Sequence, residues 1–281
     1  MTNPISDPLV EGVVLDDIAS VVKLQSTPEG VAVVTIDRAA KRNALDLLVM
    51  EGLTEAFETL HGAEGVRVVF LRGAGGNFCV GGDPEWLASV NDMPEADSRS
   101  DAAAAGAMLK ALADIPAVTV ALVEGMAVGG GGGLVAACDM AVAVADAQFG
   151  FPEVKLGLIP AVIAPYVVNA IGPRAAKSLF VTGRIFDAAE ALRIGLVNEV
   201  VADAAGLDHA MDRIVDHVMT SAPLAVAEAK TLVWDVWARP VDHHLMDDQA
   251  KRFARQRASE EGREGVAAFA ERRKPKWTRR D

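Results

Sequence analysis

The chain has 281 residues, 51% of them apolar, and a formal net charge of −12, so it can bury a large core. So acidic a surface offers no continuous basic field for nucleic acid or an anionic membrane, and two cysteines are too few for a disulfide framework. No apolar run reaches the roughly 20 residues needed to cross a bilayer. The expectation is a protein of the reducing cytoplasm with neither nucleic-acid nor membrane partners.

Residues 1–18 carry acids and no basic block ahead of an apolar run, which is unlike a secretory signal and reads as a flexible extension. Short β-rich runs follow at 31–37, 67–73, 118–123 and 140–144, with helical stretches between them, the pattern of an α/β domain over 19–203. The clearest helix spans 45–61, where Leu45, Leu48, Val49, Leu53, Phe57 and Leu60 recur at steps of three and four and Gly62 follows as a stop. A second helix should begin inside Gly129–Gly133 and run through residue 137. Residues 204–281 lack strand runs and read as helical segments at 207–220, 222–237 and 244–272, ending in a basic cluster that includes Arg272, Arg273 and Lys274.

The run Gly129-Gly130-Gly131-Gly132-Gly133 is costly in backbone entropy and weakens a helix start. Either tight helix packing or a ligand held at the helix N-terminus, where amides are free and the dipole favours negative charge, would require it. Nucleotide and hydrolase fingerprints are missing: no GxGxxG can be read, no Lys-Ser or Lys-Thr follows the run, and neither GxSxG nor HExxH occurs. A second special segment, Phe78-Cys79-Val80-Gly81-Gly82-Asp83, follows the second strand run; strand ends carry sites in α/β folds, while Asp83 could equally be only a helix cap.

With Ile36-Asp37-Arg38, Lys41-Arg42-Asn43-Ala44-Leu45, Phe149-Gly150-Phe151-Pro152-Glu153, Gly157-Leu158-Ile159-Pro160, Thr182-Gly183-Arg184 and Glu264-Gly265-Val266-Ala267-Ala268-Phe269 in order along the chain, these segments resemble the crotonase superfamily, also called the enoyl-CoA hydratase/isomerase family. The resemblance implies a spiral of β-β-α turns, a C-terminal helical region that packs homotrimers or dimers of trimers, and an acyl-CoA thioester substrate. Coenzyme A is then part of the substrate, and neither a separate cofactor nor a metal is expected. By the same resemblance the amides of Gly82 and Gly130 form an oxyanion hole, Gly81, Asp83 and Gly129 border the substrate, and Phe269 and Lys274 reach coenzyme A from a neighbouring subunit. Lys41 and Arg42, cations on the loop after the first strand run, suit its diphosphate.

The hydratase members that the chain resembles carry two glutamates around a water. Glu153 matches the second; the first position is Gly133, so one acid is missing. One glutamate still allows hydration of a 2-enoyl-CoA, and it suits double-bond isomerisation by moving a proton between carbons. Asp83 followed by Trp86, together with the stretch from Pro160 to Tyr166, resembles bacterial hydratases of methylglutaconyl-CoA type and favours hydration over isomerisation. A weakly active acyl-CoA-binding protein is the third reading. Cys79 and Cys138 read as packed thiols, and the five histidines lie outside every motif.

Overall fold

The computed structural model describes residues 21–278; the extension expected over 1–18, and Arg279 and Arg280 of the basic cluster, lie outside the described residues. Strands form at β1 (Val22–Ser26), β2 (Val31–Ile36), β3 (Val68–Gly73), β4 (Val118–Val123), β5 (Met126–Val128), β6 (Met140–Val144), β7 (Gln148–Gly150), β8 (Ile185–Asp187) and β9 (Glu199–Val201). The larger sheet runs β1-β2-β3-β4-β6-β9, parallel except for the β1–β2 pair, and the smaller runs β5-β7-β8. From β4 onward the chain winds as a spiral: β4 and β6 lie in the large sheet, while β5 and β7, which follow each of them, lie in the small one. Strands β2, β3 and β4 are buried almost end to end, as parallel strands covered on both faces must be.

The helix expected over 45–61 is α1 (Leu47–Gly62). It starts two residues late because the Asp46 carboxylate caps it, accepting the Val49 N–H at 3.0 Å, and because Leu45 is drawn into a bridge with Gly82. Val49, Leu53, Phe57 and Leu60 face the core as expected, whereas Leu48 is exposed. Helices α2 (Pro84–Ser89) and α3 (Glu95–Ala113) precede β4. The glycine helix is α4 (Gly130–Ala137), and α5 (Ala164–Thr182) is interrupted at Gly172, whose φ of 73° precedes Pro173. After α6 (Ala188–Ile194) come α7 (Ala204–Met219), α8 (Pro223–Val236), α9 (His243–Ala258) and α10 (Glu260–Glu271). The stretch expected to be helical over 244–272 is thus two helices. Ser259 is extended and its hydroxyl accepts the Gly262 N–H at 3.0 Å, so it caps α10 rather than continuing α9.

Packing explains most of the glycine run. A Cβ on Gly130 would lie 2.7 Å from Leu45 Cδ1, on Gly131 2.2 Å from the Cys79 carbonyl oxygen, on Gly132 2.7 Å from the Phe151 ring, and on Gly133 2.2 Å from Ile163 Cγ2. Gly129 is different: its φ of 54° and ψ of −119° need glycine whatever the space. At Gly131 the obstacle is backbone. Gly131→Ala should therefore cost about 3 kcal/mol of stability, the upper end of the usual range for overpacking, read as a lowered midpoint in urea with an unchanged slope.

Candidate active site

The loop after β3 is held by Asn43, a fully buried residue at a φ of 58°. Its side-chain amide donates to the carbonyls of Ala74 (2.9 Å) and Asn77 (2.6 Å) and accepts the Arg38 N–H at 2.9 Å. The next residues run alongside β5: the Phe78 N–H donates to Glu124 O, the Cys79 N–H to Met126 O and the Val128 N–H to Cys79 O, at 2.8 to 3.0 Å. This docking brings Gly81 against Gly129, where a Cβ on Gly81 would stand 2.8 Å from Val128 O and 3.6 Å from Gly129 Cα. The loop Gly and the helix-start Gly, far apart in sequence, are in backbone contact.

Gly82 then bridges to Leu45. The Leu45 N–H donates to Gly81 O (2.7 Å) and the Asp83 N–H to Leu45 O (2.8 Å). In a parallel bridge of this kind the middle residue turns its own N–H and C=O away from the partner. Among the described residues no acceptor takes the N–H of Gly82, and none takes that of Gly130, the first residue of α4. Two backbone donors are therefore free, on segments held together by the Gly81–Gly129 contact.

Asp83 is buried and saturated. One oxygen caps α2 by accepting the Glu85 N–H at 2.8 Å; the other accepts from Arg38 Nη1 at 2.6 Å. Burial alone would push this carboxyl up, but those amides and the guanidinium outweigh it and hold it below the usual carboxylate range. Arg38 also pairs with Asp46 at 2.8 Å, so one guanidinium ties the caps of α1 and α2 on either side of Gly82. Asp83 braces the loop, as its capping reading required.

Glu153 stands in the opposite environment. It follows β7 at Pro152 and opens a short 3-10 turn, Glu153–Leu156. Oε1 lies 3.2 Å from the point that a Cβ on Gly129 would occupy, so the carboxyl sits against the residue that caps α4. Oε2 is shielded from solvent and has no hydrogen-bond partner among the described residues. Burial raises the carboxyl above its ordinary range, only partly offset by its own backbone N–H. A carboxyl with a spare, desolvated oxygen is able to hold or move a proton, whereas both oxygens of Asp83 are committed to the α2 cap and Arg38.

A cleft of about 390 Å³ is lined by Lys41, Arg42, Val80, Gly82, Asp83 and Met126, among others. Lys41 pairs with Glu85 at 2.5 Å, and Arg42 is exposed with its guanidinium 3.9 Å from Met126 Sδ. Phe269, 87% exposed on α10, and Lys274 beyond it do not line this cleft. A larger cavity, about 690 Å³, lies at the far end of α4 and is lined by Lys110, Tyr166 and Lys230, away from Gly82, Gly130 and Glu153. Burial pushes the Cys79 thiol up to about 12 and raises Cys138 as well, which makes both poor nucleophiles. Among the described residues no group of three or more His, Cys, Asp or Glu side chains could hold a metal, and no helix is long and apolar enough to cross a membrane.

Sequence reasoning passed over three contributors. Arg38 and Asn43 lie inside the motifs Ile36-Asp37-Arg38 and Lys41–Leu45, but nothing in the local sequence marks Asn43 as buried. Ile163 had no signal either, since only the fold brings it to Gly133.

Two free amides lie where a strand-end loop meets a helix start, beside one desolvated carboxyl, within an α/β fold. The chain belongs to the enoyl-CoA hydratase/isomerase family, whose model matches residues 26–280. It is 32% identical over 256 residues to the carnitinyl-CoA dehydratase of Salmonella enteritidis PT4, covering 87% of this chain and 93% of that one. Among solved structures it resembles Pseudomonas aeruginosa AtuE (39% identity, TM-score 0.88, 92% of this chain and 100% of that one). It also resembles an enoyl-CoA hydratase from Shewanella pealeana (34%, TM-score 0.88, 92% and 96%).

Because the folded Glu153 carboxyl binds its proton more tightly than the unfolded one, stability falls as pH rises through its ordinary range and beyond, to the raised folded value. Glu153→Gln removes that dependence. The melting-temperature difference, variant minus native, should be more positive at pH 7 than at pH 4.

Proposed function

We propose that the protein hydrates a 2-enoyl-CoA, or runs the reverse dehydration, with Glu153 as its sole acid–base group and the amides of Gly82 and Gly130 holding the thioester oxygen. The observation that carries this is the unpartnered, buried Glu153 Oε2 beside the start of α4, where the first amide is also free. Ionised Glu153 accepts a proton from water as the water oxygen bonds to C3. The C2–C3 π pair moves toward C2 and the thioester oxygen, generating an enolate that the two amides stabilise. Protonated Glu153 then returns its proton to C2. Each amide placed about 2.7–3.1 Å from the oxyanion is worth about 3–4 kcal/mol, the range seen for one such donor. The family membership, and relatives named as a hydratase and a dehydratase, support the reading.

Isomerisation is the second reading, favoured by Gly133, because a proton shuttle between carbons needs only one acid. Product mass separates the two. Hydration adds one water; isomerisation adds nothing; tight binding with no conversion across a panel of acyl-CoAs supports the binding-protein reading instead. Under either enzymatic reading Glu153→Gln should lower kcat by at least a hundredfold, with native-like turnover of the variant overturning the assignment. For hydration the ionised carboxylate is required, so kcat/KM should fall as pH drops through the raised Glu153 value.

In this reading coenzyme A would bind in the cleft at Lys41 and Arg42, with Gly81, Asp83 and Gly129 bordering the thioester and no separate cofactor. Lys41→Ala should raise KM for acyl-CoA several-fold and leave kcat nearly unchanged, the mark of lost uniform binding. A homotrimer or dimer of trimers is supported by the exposed Trp234, Val266 and Phe269 of the C-terminal helices, apolar side chains that a second copy would cover. A cytoplasmic setting fits the acidic chain and its two unpaired cysteines.

A further inference from the structure

Ile163 ends the loop that follows the Glu153 turn and stands immediately before α5. It is 5% exposed. Its Cγ2 and Cβ lie 2.2 and 2.8 Å from the point where a Cβ on Gly133 would be, closer than carbon atoms can approach. Nothing in the backbone explains the glycine: Gly133 has no positive φ, and its N–H makes an ordinary helical bond to Gly129 O at 3.0 Å. At Gly131 the space is taken by a backbone carbonyl, which no side-chain change can clear. At Gly133 it is taken by one side chain.

Position 133 is where the two-acid pattern described above places its first glutamate. We propose that Ile163 is the residue that makes this a one-carboxylate site: its side chain occupies the volume that a residue-133 side chain would need, so Gly133 and Ile163 form a single mutually exclusive fitting. This rests on the reading of Glu153 as the proton-transfer group. Proton transfer then runs through Glu153 alone. Ile163 is a specificity-determining residue, acting by the group it excludes. Rebuilding two-acid hydration needs both changes, an acid at 133 and an opening at 163.

The test has two arms. In the first, urea midpoints are measured for Gly133→Ala, Ile163→Gly and the pair, because alanine at 163 would keep the Cβ that stands 2.8 Å from the new one. Gly133→Ala should be strongly destabilising in the native background and much less so beside Ile163→Gly; additive effects would overturn the fitting. In the second, hydration of but-2-enoyl-CoA, a linear thioester, is followed by loss of its conjugated absorbance. Glu introduced at 133 together with Ile163→Gly should hydrate it at least tenfold faster than Ile163→Gly alone. A folded double variant no faster than that, or Gly133→Glu with native Ile163 matching the double variant, would overturn the proposal. If the double variant does not fold, the stability cycle decides alone. Failure of the underlying functional reading looks different: Glu153→Gln would retain native turnover while the stability cycle stayed non-additive.

Discussion

The loop ending at Gly82 and the start of α4 meet without side chains, Gly81 against Gly129, and the rest of the site depends on that approach. A Cβ on Gly81 would strike Val128 O, and one on Gly129 would press on the Glu153 carboxyl. Removing both lets two loops from different turns of the spiral share one surface. It leaves the amides of Gly82 and Gly130 free beside it. Neither amide is spent on secondary structure, for separate reasons: Gly82 is the middle residue of a parallel bridge, and Gly130 opens a helix whose first N–H groups have no intrahelical partner. Free donors at such a junction cost stability unless something accepts from them, and a developing oxyanion is suited to do so.

Two carboxyls flank this junction and their environments push them apart. Asp83 is held below its usual range by Arg38 and the first amides of α2, and every favourable partner it has is already engaged. Glu153 is raised by burial and keeps one oxygen without a partner. Divergent environments of this kind are what the proposed function uses, with Asp83 as a structural acid and Glu153 as the working one. Arg38 gives Asp83 a second use. By tying the caps of α1 and α2 it fixes the ends of the segments that present Leu45 and Gly82 to each other.

The glycine run reconciles two explanations that are usually set against each other. Gly131, Gly132 and Gly133 are packing glycines, pressed on a carbonyl, an aromatic ring and a branched side chain. Gly129 is conformational, and its turn delivers the free amide of Gly130. Tight packing of the helix onto Cys79, Phe151 and Ile163 is what holds that amide still. Under the proposed function, this close packing orients the donor in advance, so that little reorganisation is needed as charge develops.

Residue types and their order determined a great deal: the α/β class, the positions of β2, β3, β4 and β6 within a residue, the start of the glycine helix and the family. These rest on local patterns, apolar strand runs and helix periodicity, and on motifs recognisable in series. The tertiary structure decided what side-chain spacing cannot encode. Leu45 leaves its helix because Gly82 offers a bridge. Phe269 and Lys274, whose expected role involves a neighbouring subunit, lie off the cleft of their own chain. By resemblance, position 133 holds glycine where the hydratase pattern has glutamate, but only folding brings residue 163, thirty positions along, against it. Contacts between distant segments depend on how turns of the spiral stack, and no local periodicity records that distance.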